Sequence, residues 1–154
     1  MIAIITIGIS ASGKSTWAKN LCNTCGFVRI ERDEIRKEYF FEKYKQEFTW
    51  KAWRWELEDY VDHLRDEQIK LAALNKWNII LSDTNTDNKA NTRLKSALIE
   101  LGYIVKFKIF NTPLESAILL DSLRTQPVSE YIIRKQHAKL QNTTINVVDI
   151  LTSL

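Results

Sequence analysis

Residues Gly8-Ile9-Ser10-Ala11-Ser12-Gly13-Lys14-Ser15 fit the pattern G-x-x-x-x-G-K-[ST] in full. The chemistry of that pattern is anion binding. Its glycines let the backbone curl so that successive N–H groups point inward. A helix that follows adds the positive end of its dipole. Lys14 is then expected to reach the β- and γ-phosphates of a nucleoside triphosphate, and the Ser15 hydroxyl to ligate Mg²⁺. The expected nucleotide-binding set is Gly8, Ser10, Ala11, Ser12, Gly13, Lys14, Ser15 and Thr16, joined by Arg124 from later in the chain. The chain has only 4 glycines, and two of them stand in this loop, which argues against a chance turn.

A phosphate loop alone does not separate a GTPase or ATPase from a small kinase. Other residues must say what receives the phosphate. Arg32-Asp33-Glu34-Ile35-Arg36 follows a second apolar run. A carboxylate at Asp33 can orient an acceptor hydroxyl and take its proton. Arg36 shares a helix face with it and can hold a phosphate of the acceptor. The plainer alternative makes Asp33 the N-cap of a solvated helix. Ile79-Ile80-Leu81-Ser82-Asp83-Thr84-Asn85 runs an apolar strand into Asp83, where a Walker-B-like acid occurs. Asp83 is expected to act through metal-bound water or by fixing Arg36, the alternative being an ordinary turn. Arg124 lies between two helical stretches, where small P-loop kinases carry a lid, and there it would neutralise the transferring phosphoryl group. Otherwise it is an exposed surface arginine.

The elements that must position these residues alternate along the chain. Ile2–Ile7 is a near-continuous β-branched run, expected as a strand buried on both faces. Lys14–Leu21 reads as a helix, Phe27–Ile30 as a strand, and Asp33 to about Phe40 as a helix. Apolar spacing from Trp50 to Leu74 predicts one long helix. Asn78–Leu81 is expected as a strand, Asp87–Leu101 as a helix closed by Gly102, and Tyr103–Phe110 as a strand. Pro113 opens a further helix, Gln126-Pro127 interrupts it, and Val128–Leu140 resumes. The expected fold class is α/β: a P-loop NTPase-type parallel sheet with helices on both faces and a small helical lid. Ligands of such sheets gather at the carboxyl ends of the strands.

The length of 154 residues suits one domain, residues 1–154, able to bury its own core. No apolar run reaches the length of a membrane span, and no basic region precedes the first apolar run, as a signal peptide would require. The net charge is +3, from 22 Lys+Arg against 19 Asp+Glu, with no basic tail. A strong, purely electrostatic grip on nucleic acid is therefore not expected, though a local basic groove is compatible with it. Cys22 and Cys25 lack the partners for a four-ligand zinc site. Two reduced thiols fit a cytoplasmic setting.

Taken together, Gly8–Trp17, the Arg32-Asp33 to Arg36 segment and Ser82-Asp83-Thr84-Asn85 resemble the kinase domain of phage-type polynucleotide 5′-hydroxyl kinases. Pro127–Leu140, with Arg134, resembles the helix after their lid. The resemblance runs in order over nearly the whole chain. It implies transfer of the ATP γ-phosphate to the 5′-hydroxyl of DNA or RNA, in the cytoplasm of a host cell if phage-encoded. It implies Asp33 as general base, Arg36 on the acceptor phosphate, Lys14 and Arg124 on the transferring phosphoryl group, Ser15 on the metal, and Asp83 and Thr84 in the acceptor site. The family lid often carries a second Arg where this chain has Leu120, which leaves the donor clamp weaker or differently built. The D-x-D-x-T motif of a fused phosphatase domain is not present, so the resemblance implies a kinase domain by itself. The alternatives are a small-molecule kinase acting on a nucleoside, nucleotide or antibiotic hydroxyl, and a nucleotide-binding module without transferase activity.

Lys43 to Trp55 interleaves cations with aromatic residues, including three of the 5 Trp. Bases stack on such faces. Trp50, Trp53 and Leu57 share one helical stripe and are expected in the core, which leaves Trp55 and Tyr44 as the stacking candidates.

Overall fold

The computed structural model describes residues 1–145 and 149–151. Four strands form one parallel sheet: β1 (Ile2–Ile7), β2 (Val28–Ile30), β3 (Ile79–Leu81) and β4 (Ile104–Ile109), in the order β2-β3-β1-β4. Six α-helices connect and cover them: α1 (Lys14–Cys25), α2 (Arg32–Tyr44), α3 (Glu58–Leu74), α4 (Asn88–Glu100), α5 (Leu114–Ser122) and α6 (Glu130–Gln141).

The near-continuous apolar run of β1 has the expected cause. Alternate side chains of a strand point to opposite faces, and both faces here are covered. Ala3, Ile5 and Ile7 pack with Ile35 and Phe40 of α2, Val61 and Ile69 of α3, and Leu98 of α4. Ile4 packs on the other face with Ala18 and Leu21 of α1. The connections leaving β1 and β3 therefore diverge to opposite faces. A crevice opens between their carboxyl ends, where ligands of such sheets bind. A third cluster of Ile9, Ala117 and Ile133 seats α5 and α6 beside the loop after β1. No helix among the described residues is long and apolar enough to cross a membrane.

The long helix expected from Trp50 to Leu74 forms only from Glu58 onward, as α3, and its first turns are replaced by a loop. Lys45, with φ 54°, caps α2 by donating its N–H to Phe41 O. Thr49 O then accepts the amides of Ala52 and Trp53 in a turn, and a 3₁₀ turn over Trp55–Leu57 leads into α3. The aromatic residues that mimicked a helical stripe reach their places from this loop. Phe48 and Trp53 are buried in the cluster of Phe40 and β1, while Trp50 is only half-buried. Two other boundaries shift. α2 starts at Arg32, so Asp33 lies in its first turn and not at its cap. α6 starts at Glu130, because Asp121 Oδ2 holds the amides of Val128 and Ser129 in a non-helical approach.

Candidate active site

The loop between β1 and α1 has the curvature its glycines were expected to allow. Gly13 has φ 90° and Ala11 φ 59°, both in the left-handed region. Gly8 is required by space: a Cβ there would lie 2.8 Å from Ser12 Oγ and 2.9 Å from Phe110 Cβ. Its N–H donates to Thr84 O at 3.0 Å, which ties the loop to the end of β3. The N-terminus of α1 has no side-chain cap, leaving its amides available to an anion.

Lys14 lies buried under the loop, its Nζ donating to Ile9 O at 2.6 Å and to Ser12 Oγ at 3.3 Å. Burial, joined by the nearby charge of Arg124, holds its pKa down to about 8 against the opposing pull of Glu31, Asp83 and Asp33. Ser15 Oγ donates to Glu31 Oε1 at 3.4 Å. Thr16 is exposed on α1 and lines neither of the two cavities here.

Across the crevice stand the ends of β2 and β3. The Asp33 carboxylate accepts from Arg36 Nη1 at 2.5 Å and makes no cap bond. Loss of water raises its pKa above the ordinary carboxylate value, and Arg36 offsets part of that rise. Arg36 is buried and also donates Nε and Nη2 to Glu58 at 2.9 and 2.6 Å. Trp53 Nε1 donates to the same Glu58 carboxylate at 2.6 Å. Burial pushes the Glu58 pKa up, but these bonds outweigh it and hold the group below its ordinary value.

Asp83 does not fix Arg36. Its carboxylate accepts from the Arg32 backbone N–H at 3.0 Å and from Arg32 Nε at 3.2 Å. The strand end thus anchors the first turn of α2, the helix that carries both Asp33 and Arg36.

Arg124 sits on the connection between α5 and α6, half-exposed, with Nη1 3.5 Å from the buried Asp121 carboxylate. Gln126 Nε2 of the same connection donates to Phe48 O at 2.9 Å, reaching across to the segment after α2. Leu120 is 51% exposed and lines neither cavity. Arg134 also stands outside them, paired with Glu130 and Glu115 on the surface.

A cavity of about 310 Å³ is lined by Ser10, Ala11, Lys14, Ser15, Asp33, Arg36, Asp83, Thr84 and Arg124. A second, of about 600 Å³, shares Ser15, Asp33 and Arg124 with it. Residues expected from three different strand ends and the lid therefore converge; of the expected nucleotide-binding set, Gly8, Ser12, Gly13 and Thr16 line neither cavity. Three residues of the site escaped sequence reasoning. Glu31 bridges Ser15 to Ser82, whose Oγ donates to it at 2.8 Å, and to Arg29. Burial raises its pKa above the ordinary value. Gln136 Oε1 of α6 accepts the Ser10 N–H at 2.8 Å, and Glu58 holds Arg36. Only for Glu31 was there a signal, an acid at the carboxyl end of a strand.

The AAA domain family model matches residues 4–142, from β1 to the residue after α6. The chain belongs to the AAA domain family. This AAA domain is similar to a bifunctional polynucleotide kinase/RNA ligase of Autographa californica nuclear polyhedrosis virus, 28% identical over 146 residues. That similarity covers 88% of this chain and 20% of the viral protein, so the chain spans about a fifth of that relative. Among solved structures, the AAA domain resembles a chain of the Pnkp1/Rnl/Hen1 RNA repair complex with a TM-score of 0.75 at 20% identity, over 91% of this chain and 44% of that one. A sugar kinase from Janibacter sp. aligns with a TM-score of 0.64 at 20% identity, over 98% of this chain and 84% of that one. These likenesses show the fold: a P-loop kinase fold with a parallel four-stranded sheet.

Proposed function

We propose that this domain is an ATP-dependent kinase that phosphorylates the 5′-hydroxyl end of DNA or RNA. One observation carries the reading. Asp33 and Arg36, a proton acceptor joined to a cation, share one cavity with Lys14 and Ser15 of the phosphate loop.

The loop amides and the α1 N-terminus hold the β-phosphate side of ATP, and Lys14 and Arg124 neutralise the phosphoryl group in transit. Arg36 holds the phosphate next to the acceptor's 5′ nucleoside and so places its hydroxyl beside Asp33. As the hydroxyl oxygen bonds to the γ-phosphorus, its proton passes to Asp33. The bond from the γ-phosphorus to the bridging oxygen breaks, and ADP leaves. The raised pKa of Asp33 suits it to accept that proton.

Magnesium suits the oxygen donors present. It takes one or two protein oxygens together with phosphates and water, and the Ser15 hydroxyl with the Glu31 carboxylate 3.4 Å away is such a set. Bound there, it would neutralise charge on the β- and γ-phosphates.

A small-molecule kinase is the second reading, favoured by the near-complete overlap with a sugar kinase fold. Labelled ATP offered with 5′-hydroxyl oligonucleotides, nucleosides, sugars or no acceptor separates the two. Label on the oligonucleotide end supports the proposal. Label only on a nucleoside or sugar selects the second reading, and ATP hydrolysis with no labelled acceptor rejects both.

A further inference from the structure

Trp55 is 65% exposed, although the loop that carries it delivers its neighbour Trp53 to the core, 5% exposed. The exposed ring is not isolated. It lies nearly parallel to Trp50, at 15° with ring centroids 6.0 Å apart. The Arg36 guanidinium lies over the Trp50 ring, 5.6 Å from its centroid. Phe48 meets Trp50 edge-on at 5.1 Å and braces it from the core side. Arg36, Trp50 and Trp55 form a ladder of flat groups. All three line the cavity that holds Asp33.

We propose that Trp55, backed by Trp50, is a stacking platform for a nucleobase of single-stranded nucleic acid near its 5′ end. The inference rests on the acceptor reading above and extends it from the phosphate to the base.

The order of the ladder selects the occupant. A small acceptor whose hydroxyl lies beside Asp33 is held no further out than Arg36. Arg36 and Trp55 each meet Trp50, and Trp55 is the solvent-facing one, 65% exposed against a buried Arg36, so it serves a part of the acceptor further out than the phosphate on Arg36. A base presents a flat face of the right kind, and stacking on tryptophan is tolerant of sequence. A protein partner would need a contiguous apolar patch. Here the exposed Trp55 is flanked by exposed, charged Arg54 and Glu56, with exposed Lys51 nearby in the loop. Those two cations suit a phosphate backbone that tracks past the ring.

The test compares wild type with Trp55→Ala and Trp55→Tyr. Each is titrated by fluorescence anisotropy with a labelled 5′-hydroxyl oligonucleotide and with one abasic at its first positions, then assayed for phosphorylation. Trp55→Ala should raise the oligonucleotide Kd and KM about 5- to 150-fold, the range for one lost base stack, with the loss in KM and not in kcat. Trp55→Tyr should recover most of it, and the abasic strand should bind wild type as weakly as the intact strand binds Trp55→Ala. Equal Kd values for wild type and Trp55→Ala overturn the platform. Melting temperatures show whether each variant is folded. If Trp55→Ala is not, wild type alone decides: equal Kd values for the intact and abasic strands overturn the platform. Trp55-dependent binding without phosphorylation leaves the platform standing and rejects the acceptor reading. Phosphorylation with a Trp55-independent KM rejects the platform alone, and no binding of the oligonucleotide rejects both.

Discussion

Asp33 accepts a 2.5 Å hydrogen bond from Arg36, one helical turn along α2. A proton acceptor and an anion holder are thereby set in one rigid unit. Arg36 keeps the carboxylate pKa from rising as far as its loss of water would take it. Two carboxylates, Asp33 and Glu58, fix the three guanidinium nitrogens of Arg36.

Glu58 should therefore act on acceptor binding without touching ATP. Glu58→Gln keeps an oxygen for Trp53 but removes the charge that holds two nitrogens of Arg36. Losing a charge-assisted bond of about 1.5–3 kcal/mol should raise acceptor KM roughly 10- to 100-fold. Steady-state kinetics against both substrates check this. An unchanged acceptor KM would show that Arg36 does not need Glu58.

Asp83 should matter for stability. Its side chain is 9% exposed and carries both the Arg32 backbone amide and the Arg32 guanidinium. Asp83→Ala leaves both without that acceptor and should cost about 1–3 kcal/mol in denaturant unfolding. Asp83→Asn keeps an oxygen for the amide and should cost less. Wild-type stability in Asp83→Ala would return Asp83 to a purely chemical role.

Lys14 gives a pH signature to nucleotide binding. Its pKa of about 8 in the free protein means that the neutral amine predominates above that pH. A triphosphate favours the ammonium form and raises that pKa, so binding above pH 8 takes up a proton. ATP affinity should fall by up to about tenfold per pH unit there, and calorimetry in buffers of different ionisation heat should show proton uptake approaching one per site. Lys14→Arg should remove the effect. Heats and affinities flat from pH 7 to about 9.5 would contradict the assignment. Lys14→Ala should lower kcat by about 10²-fold or more.

A net charge of only +3 and a short cationic path imply few phosphate contacts. With about 2–3 of them, log K for a single-stranded oligonucleotide should fall against log[salt] with a slope of about −1.4 to −2.1. A slope steeper than about −5 would reveal an extended basic groove.

Much of this was legible in the sequence, because the signals were local. The apolar run of Ile2–Ile7 reports a strand covered on both faces, and both clusters are there. The glycines of the loop and the acids after β2 and β3 follow from strand ends, and the parallel order brings them together. The stripe Trp50, Trp53, Leu57 misled because helical spacing is also met by a loop whose aromatic residues turn inward. The Thr49 turn and the 3₁₀ turn over Trp55–Leu57 delay the helix there to Glu58. Glu58 and Gln136 were invisible for another reason. Their partners, Arg36 and the Ser10 amide, are far along the chain and near only in the fold. Asp121 is similar: buried within α5, it holds the approach to α6 through Val128 and Ser129.

The most direct test of Asp33 as the proton acceptor is acceptor turnover by Asp33→Asn, measured with melting temperature and ATP affinity. Asparagine keeps the shape and an oxygen for Arg36 but cannot take the proton. The expected result is a kcat on 5′-hydroxyl oligonucleotides lower by about 10²–10⁴-fold, with stability and ATP affinity near wild type. Wild-type turnover at unchanged stability would contradict Asp33 as the proton acceptor, and with it the central reason for reading this cavity as a hydroxyl kinase.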